Sequence, residues 1–361
     1  PLPGPRQHPA PSRWMGGGAV MPGRADSDAW ATAGWRRAAT AWLDEQLDNQ
    51  GIRRTADVEQ SHLRPWATVL SAPTTVGRVW LKALGPATAF EAGLYQLLRR
   101  AAPERVLAPL AVDTGRGWIL LPDGGPPLAD RLAGADLAAA LAAVLARYGE
   151  LQRDFAPQAD AALAIGVADM RPQVMSARLE EALKSAGRSV SGRGSGSARD
   201  VLRQVATLRG TYRSWCARLA AAPGAASLDH NDLHPWNMLV PRLGQPGMVR
   251  FYDWGDAVIA HPFAAMLVPL TWTQRRLAAS LHAPELTQIR DAYLHMFSDL
   301  APHTQLVATL ELACRVAKVA RALTWTRAIA QSDPGQLDEH YANAPLACLR
   351  SLLDSSYVGG A

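Results

Sequence analysis

Between residues 230 and 256 the chain reads His230-Asn231-Asp232-Leu233-His234-Pro235-Trp236-Asn237, then the apolar run Met238-Leu239-Val240. After a turn around Gly244–Gly247 it continues Val249-Arg250-Phe251-Tyr252 and closes on Asp253-Trp254-Gly255-Asp256. Polar, potentially metal-binding side chains stand at the edges of two short apolar runs. A hairpin of those runs brings the edges together, with Asp232 and Asn237 on the loop before the first strand and Asp253 just after the second.

Phosphoryl transfer needs such a set. A carboxylate orients the attacking hydroxyl and accepts its proton, while an amide carbonyl and a second carboxylate hold Mg²⁺ against nucleotide phosphates. His230, Asp232 and Asn237 have the H-x-D-x-x-x-x-N spacing of a kinase catalytic loop, and Asp253-Trp254-Gly255 has the Asp-aromatic-Gly order of its metal site, with Trp in place of Phe. The segment resembles the aminoglycoside-phosphotransferase and choline-kinase-like branch of the kinase-like fold, whose loop typically reads H-G-D-L-H-P-x-N. The match covers His230, Asp232, Leu233, His234, Pro235 and Asn237, then Asp253-Trp254-Gly255-Asp256; it departs at Asn231, where Gly is usual.

Each half alone has a plainer explanation. A His-x-Asp is usually a loop hydrogen-bond pair, and Asp and Gly favour turns for their own reasons; the order and separation of the two halves argue for a site. Two rivals come from other classes. One is a zinc or two-metal hydrolase using His230, Asp232, His234 and His261. His230 and His234 have the spacing of a helical zinc pair, but Pro235 disfavours helix at His234 and the next residues read as a strand. The other is a pseudokinase-like module that binds nucleotide without catalysis.

Composition narrows the class. A chain of 361 residues, 48% hydrophobic, is long enough for a large core and two lobes. No apolar run reaches membrane-spanning length, and no secretory signal pattern opens the chain. Cys216, Cys314 and Cys348 are sparse and read as buried thiols in a reducing, cytoplasmic compartment. A net charge of +5 without a basic tract excludes a nucleic-acid footprint. Nearly all basic residues are Arg; only Lys82, Lys184 and Lys318 are Lys, so each draws notice.

Residues 1–24, rich in Pro and Gly, are expected to be a disordered tail, with Met21 a plausible start. A helix from Ser27, as cap, to Leu47 should pack outside the first lobe. Val58–Arg64, Trp66–Ala72, Arg78–Leu84, Val106–Val112 and Trp118–Leu121 read as five strands of an antiparallel sheet. Alternation puts Trp80 and Lys82 on one side and Val79 and Leu81 on the other. A helix Thr88–Arg99 follows, with Glu91 near its start. No Gly-rich loop joins the first two strands; Ser61–Trp66 stands there, with Arg64 as a substitute charge. Pro122–Pro127 breaks regular structure. Beyond it helices are expected over Leu128–Phe155, Asp169–Leu183, Asp200–Ala222, His261–Leu277, Pro284–Leu300, His303–Ile329 and Gln336–Leu353, with Ser185–Ser197 a flexible loop.

The resemblance implies an α+β, two-lobed protein-kinase-like fold, with a small antiparallel-sheet lobe over residues 25–123 and a larger, mainly helical lobe over 124–357. It implies ATP and Mg²⁺ as cofactors, a nucleotide and a small-molecule hydroxyl acceptor as partners, and neither nucleic acid nor membrane. Asp232 is then the base, and Asn237 and Asp253 hold the metal. Lys82, fixed by Glu91, binds phosphate, and Asp123 and Gly124 form the hinge that meets adenine. His230, His234 and Asp256 support these groups. Asp299, Glu311, Asp338 and Glu339 are the acidic candidates for the acceptor pocket.

Overall fold

A computed structural model describes residues 26–130, 135–191, 196–240, 248–330 and 337–359. The expected tail, the turn around Gly244–Gly247 and part of the Ser185–Ser197 segment lie outside the described residues. The chain opens with two helices, α1 (Asp26–Ala31) and α2 (Ala33–Asp48), rather than one. Ser27 sits inside α1, and the cap belongs to Thr32, whose extended backbone breaks the helix while its hydroxyl accepts from the Trp35 N–H.

Strands β1 (Glu59–Leu63), β2 (Ala67–Thr74) and β3 (Gly77–Leu84) follow, then helix α3 (Phe90–Ala101) and strands β4 (Ala111–Asp113) and β5 (Trp118–Pro122). They form one antiparallel sheet in the order β1-β2-β3-β5-β4. Alternation sorts its two faces: Val79, Leu81 and Ala83 of β3 pack with Leu70, Trp118 and Leu120 against Ala39, Trp42, Leu43 and Leu47 of α2. Lys82 takes the opposite face. The expected strand Val106–Val112 is mostly absent. Arg105 to Leu107 pair instead with Phe251, the Phe251 N–H donating to the Arg105 carbonyl and the Leu107 N–H to the Phe251 carbonyl. A piece of the sheet lobe thus becomes a partner of the 230–256 hairpin.

The helical part contains α4 (Ala135–Phe155), α5 (Ala159–Ala164), strand β6 (Ala168–Asp169), α6 (Met175–Ser191), α7 (Gly196–Thr207) and α8 (Arg209–Ala220). Leu128–Asp130 is a separate 3₁₀ turn. Asp169 begins no helix: Met170 donates its N–H to the Ile259 carbonyl, and the extended chain keeps helix formation waiting until Met175. The Ser- and Gly-bearing residues 185–191 continue α6, because buried Leu179, Ala182 and Ala186 hold one helical face on the core. The expected helix Asp200–Ala222 is two, divided at Leu208.

Strand β7 (Ser227–Asp229) leads into residues 230–237, β8 (Met238–Leu239) and β9 (Arg250–Phe251) form the hairpin, and β10 (Val258–Ala260) leaves it. Met238 pairs with Phe251 and Leu239 with Arg250. β10 pairs antiparallel with β7, Val258 opposite Asp229, and parallel with β6. Two ladders therefore clamp residues 230–257 at both ends, which brings Asp232 and Asp253 into one place. Helices α9 (Leu267–Leu277), α10 (Pro284–His295), α11 (His303–Ile329) and α12 (Glu339–Arg350) complete the chain. No helix among the described residues is long and apolar enough to cross a membrane.

The fully buried Tyr148 of α4 anchors the loop from beneath. Its hydroxyl donates to the Leu228 carbonyl at 3.0 Å and accepts the His230 N–H at 2.9 Å. Gln152 also donates to the Leu228 carbonyl, so removal of the hydroxyl strands only the His230 N–H. Tyr148→Phe is expected to lower unfolding stability by about 1–3 kcal/mol, the cost of one buried unsatisfied donor, measured as a shifted urea midpoint at unchanged slope.

Candidate active site

Two clusters of charged side chains face each other across the loop and the sheet. In the first, Lys82 Nζ donates to Glu91 Oε2 at 2.6 Å and to Asp253 Oδ1 at 2.5 Å. The lysine comes from the middle of β3 and the glutamate from the first turn of α3, where its charge also suits the helix dipole. Glu91 is fully buried, and its other oxygen accepts the Trp254 N–H at 3.0 Å. Gly255 permits this approach: a Cβ there would stand 3.1 Å from Glu91 Oε2. Burial opposes the charge on Lys82, but the Asp253 and Glu91 carboxylates outweigh it and keep the ammonium protonated. Burial pushes Glu91 up to about 7, so its charge depends on the lysine beside it.

The second cluster surrounds Asp232. Its Oδ1 accepts from Arg321 Nη2 at 2.7 Å, and its Oδ2 lies 3.2 Å from His234 Nε2. Arg321 Nη1 donates to the Asn231 carbonyl at 2.6 Å and to Asp256 Oδ2 at 3.1 Å. Burial works against an ionised Asp232, yet the His234 and Arg321 cations prevail and hold its carboxyl well below the usual carboxylate range. Burial, joined by the nearby Asp232 and Asp253 charges, pushes Asp256 upward against the pull of Arg321 and Arg327. Asn237 donates its amide to the Asp232 main-chain carbonyl at 2.9 Å, so its amide nitrogen is engaged and its oxygen is the remaining acceptor atom of that side chain.

His230 lies beneath the loop. Its Nε2 is 3.0 Å from the Tyr252 carbonyl, one residue before Asp253, and its ring packs 4.6 Å from that of Trp254. Burial lowers its pKa, so the ring is neutral. Asn231 and Asp253 both have left-handed backbones, with φ of 59° and 65°. Asn and Asp tolerate that region better than other side-chain-bearing residues. This accounts for Asn231 where Gly is usual, and its side chain adds a 2.7 Å bond to Thr324.

In the segment expected as the hinge, the Asp123 carboxylate accepts the Gly125 N–H at 2.9 Å and closes its own turn. Gly124 is tightly fitted: a Cβ would lie 2.2 Å from Leu239 Cδ1. The metallohydrolase set does not assemble. His261 is held elsewhere by the Pro223 carbonyl and the Phe263 N–H, and among the described residues no group of three or more His, Cys, Asp or Glu is placed to hold a metal ion. The acidic acceptor candidates also lie apart from Asp232's contacts: Asp299 pairs with Arg153, and Asp338 caps α12.

Sequence reasoning missed Arg321. The one signal was its setting: with Lys318 it is a cation inside the otherwise apolar run Val316–Leu323 of α11, and a helix buried there needs a reason for each charge. Lys318 serves the chain end instead, donating to the Ser351 and Ser356 carbonyls.

Sheet, hairpin and clusters together define a phosphotransferase of kinase-like fold. Residues 69–306 match the model of the phosphotransferase enzyme family, and the chain belongs to that family. It is similar in structure to an ethanolamine kinase from Plasmodium vivax at 12% identity, covering 93% of this chain and 96% of that one with a TM-score of 0.60. A type I macrolide 2'-phosphotransferase is similar at 15% identity, covering 88% and 98% with a TM-score of 0.53. An amicoumacin kinase solved with AMP-PNP, Ca²⁺ and its ligand is similar at 12% identity, covering 89% and 97% with a TM-score of 0.52. No curated protein sequence matches the chain significantly.

Two outcomes are expected. Arg321→Met strips a nearly buried cation from Asp232 and Asp256, whose side chains are 25% and 29% exposed. Solvent screens those carboxylates, so the loss should fall at the low end for a broken buried pair, about 3 kcal/mol by chemical denaturation. The second concerns buried Asp229, whose carboxyl burial pushes up to about 7. Its folded pKa exceeds the ordinary value near 4, so the protonated form stabilises the fold. That contribution is complete below about pH 4 and lost as pH rises through about 7. Asp229→Asn keeps the acceptor for the Asn231 N–H. It should melt close to wild type at pH 4 and about 5 °C higher at pH 8 in paired thermal scans.

Proposed function

We propose that the chain moves the γ-phosphoryl group of ATP to a hydroxyl of a small molecule. The observation that carries this reading is the contact of Lys82 with both Glu91 and Asp253, which sets a phosphate-binding cation at the loop that holds Asp232 and Asn237. Lys82 stays charged and meets the nucleotide phosphates, with Glu91 fixing its direction. The hinge main chain at Asp123 and Gly124 meets the adenine edge, with Leu239 beneath it. The amicoumacin kinase was solved with AMP-PNP, which supports a nucleotide as a ligand of this chain.

The donor set fits a hard cation. Asp253 presents a carboxylate that is 37% exposed, and Asn237 has its amide nitrogen engaged and its oxygen left for a ligand. Both are oxygen donors of the kind Mg²⁺ takes. Asn237 and Asp253 would hold the ion, which when bound neutralises charge on the phosphate oxygens.

Asp232 receives the acceptor hydroxyl on its carboxylate and aligns the oxygen with the γ-phosphorus. The new O–P bond forms as the bond to the departing ADP oxygen breaks. A carboxyl held so far down is a weak base, so it orients the hydroxyl first and takes the proton only late, once O–P bonding has made that proton acidic. The loose transition state of phosphoryl transfer asks for no earlier removal. His234 and Arg321 keep the carboxylate ionised and pointed.

Asp232→Asn should remain folded and lose about 10²–10⁴-fold in turnover, the contribution of a positioned acid–base group. Asp253→Ala should weaken the Mg²⁺-dependent rise in melting temperature that ATP produces in the wild type. Near-normal transfer by the Asp232 variant sinks the assignment. A nucleotide-dependent shift without product across a broad acceptor panel points to the pseudokinase-like module.

A further inference from the structure

The Trp254 N–H donates to Glu91 Oε1 and so joins the loop after β9 to the first turn of α3. Phe90 precedes Glu91 in the chain, and Gly255 follows Trp254. One side chain touches both of these neighbours. The Arg327 guanidinium lies 5.3 Å from the centre of the Phe90 ring, and its Nη2 donates to the Gly255 carbonyl at 3.3 Å. Arg327 stands in the last turn of α11, beyond Arg321.

No ion-pair bond among the described residues puts Arg327 there. The carboxylate that attracts it is Asp256, which is itself bonded to Arg321 at 3.1 Å. Burial pulls the Arg327 pKa down against that attraction. A long cationic side chain near a helix end can usually turn its head to water. Here the head is kept half-buried on a ring and a carbonyl. A guanidinium suits the task, because its flat face covers a ring while its edge donates.

The helical lobe also meets α3 through smaller contacts. Ile165, in the turn after α5, comes so close to Gly93 that a Cβ there would stand 3.2 Å from its Cδ1. The Tyr95 hydroxyl accepts the Asp253 N–H at 3.4 Å. Arg327 differs in reaching both α3 and the loop from a third element. Its grip bears directly on Glu91, whose two oxygens are taken by Lys82 at 2.6 Å and by the Trp254 N–H at 3.0 Å. A tilt that parts Phe90 from Gly255 stretches both bonds. Lys82 is then left with Asp253, the carboxylate proposed to hold Mg²⁺.

We propose that Arg327 is a positioning residue for the nucleotide. By holding Phe90 and Gly255 together it fixes Glu91, and Glu91 directs Lys82 to the phosphates of ATP. This rests on the kinase reading above and adds to it a residue that acts through α3, without touching the nucleotide.

The test is calorimetric titration of the full chain with Mg·ATP, in wild type, Arg327→Met, Glu91→Gln and the double variant. Arg327→Met keeps most of the stem and removes the charge. Its Kd should rise about tenfold, the size of one partly desolvated contact between a cation and a ring. On the Glu91→Gln background the same substitution should change Kd by less than about twofold, because Lys82 no longer takes its direction from Glu91. Arg327→Lys, which keeps a cation at the ring, should stay within about threefold of wild type. Phe90→Leu removes the ring and leaves the arginine. It should weaken Mg·ATP with the same dependence on Glu91, and it carries the test if Arg327→Met does not fold. An unchanged Kd in the folded variant, or an equal rise with and without Glu91, overturns the inference. The latter is what a general loss of stability would give. Wild type that does not bind Mg·ATP defeats the kinase reading itself. Wild type that binds, with the variants binding equally well, defeats only the role of Arg327.

Discussion

A single ammonium group ties the sheet lobe to the 230–256 hairpin. Lys82 belongs to β3, Glu91 to α3 and Asp253 to the loop after β9, and the one cation serves both carboxylates. Each neighbour is shaped by that demand. Gly255 has no side chain where Glu91 approaches, Trp254 lends its N–H to the second glutamate oxygen, and Asp253 holds a left-handed backbone to face inward. Removing Lys82 would leave the fully buried Glu91 charge unpaired, which costs far more than a surface ion pair contributes.

The Asp232 cluster follows the same logic with a different cation. A guanidinium donates along several directions at once, and Arg321 uses this to reach Asn231, Asp232 and Asp256 together. A lysine offers a point charge and cannot hold two carboxylates and a carbonyl in one plane. The arginine also sits on the Trp325 ring, so one side chain joins the Asp232 cluster to the aromatic residues beside it. Neutral His230 under the hairpin and Tyr148 under the loop fix the floor on which these charges rest.

The backbone ladders explain why the two clusters meet. Residues 230–257 are closed at the base by β7 on β10 and at the tip by β8 on β9. The hinge and the Arg105–Leu107 segment then pair with that hairpin, the Val240 N–H with the Pro126 carbonyl and the Phe251 N–H with the Arg105 carbonyl. The segment read as a sheet strand over Val106–Val112 was diverted to this task. A strand-like pattern records apolar alternation and is silent about which partner supplies the hydrogen bonds.

The local spacing of His230, Asp232, Asn237 and Asp253 was legible because a loop and a two-strand hairpin are short-range structures, set by nearby turn and strand preferences. Lys82 and Glu91 were legible for a related reason, since strand alternation and the first turn of a helix place each side chain without reference to the rest of the chain. The long helix His303–Ile329 was visible in its periodicity, but the purpose of Arg321 within it was not. Its partners lie some 65 to 90 residues earlier, and packing alone brings them within hydrogen-bond distance. The break at Leu208, the continued α6 and the extended Asp169 were decided in the same way, by what each segment could bury or bond once folded. Local propensity determined which elements were available and where the candidate residues sit within them. Tertiary structure decided which charges were paired, because pairing in a buried site depends on distances that no spacing along the chain records.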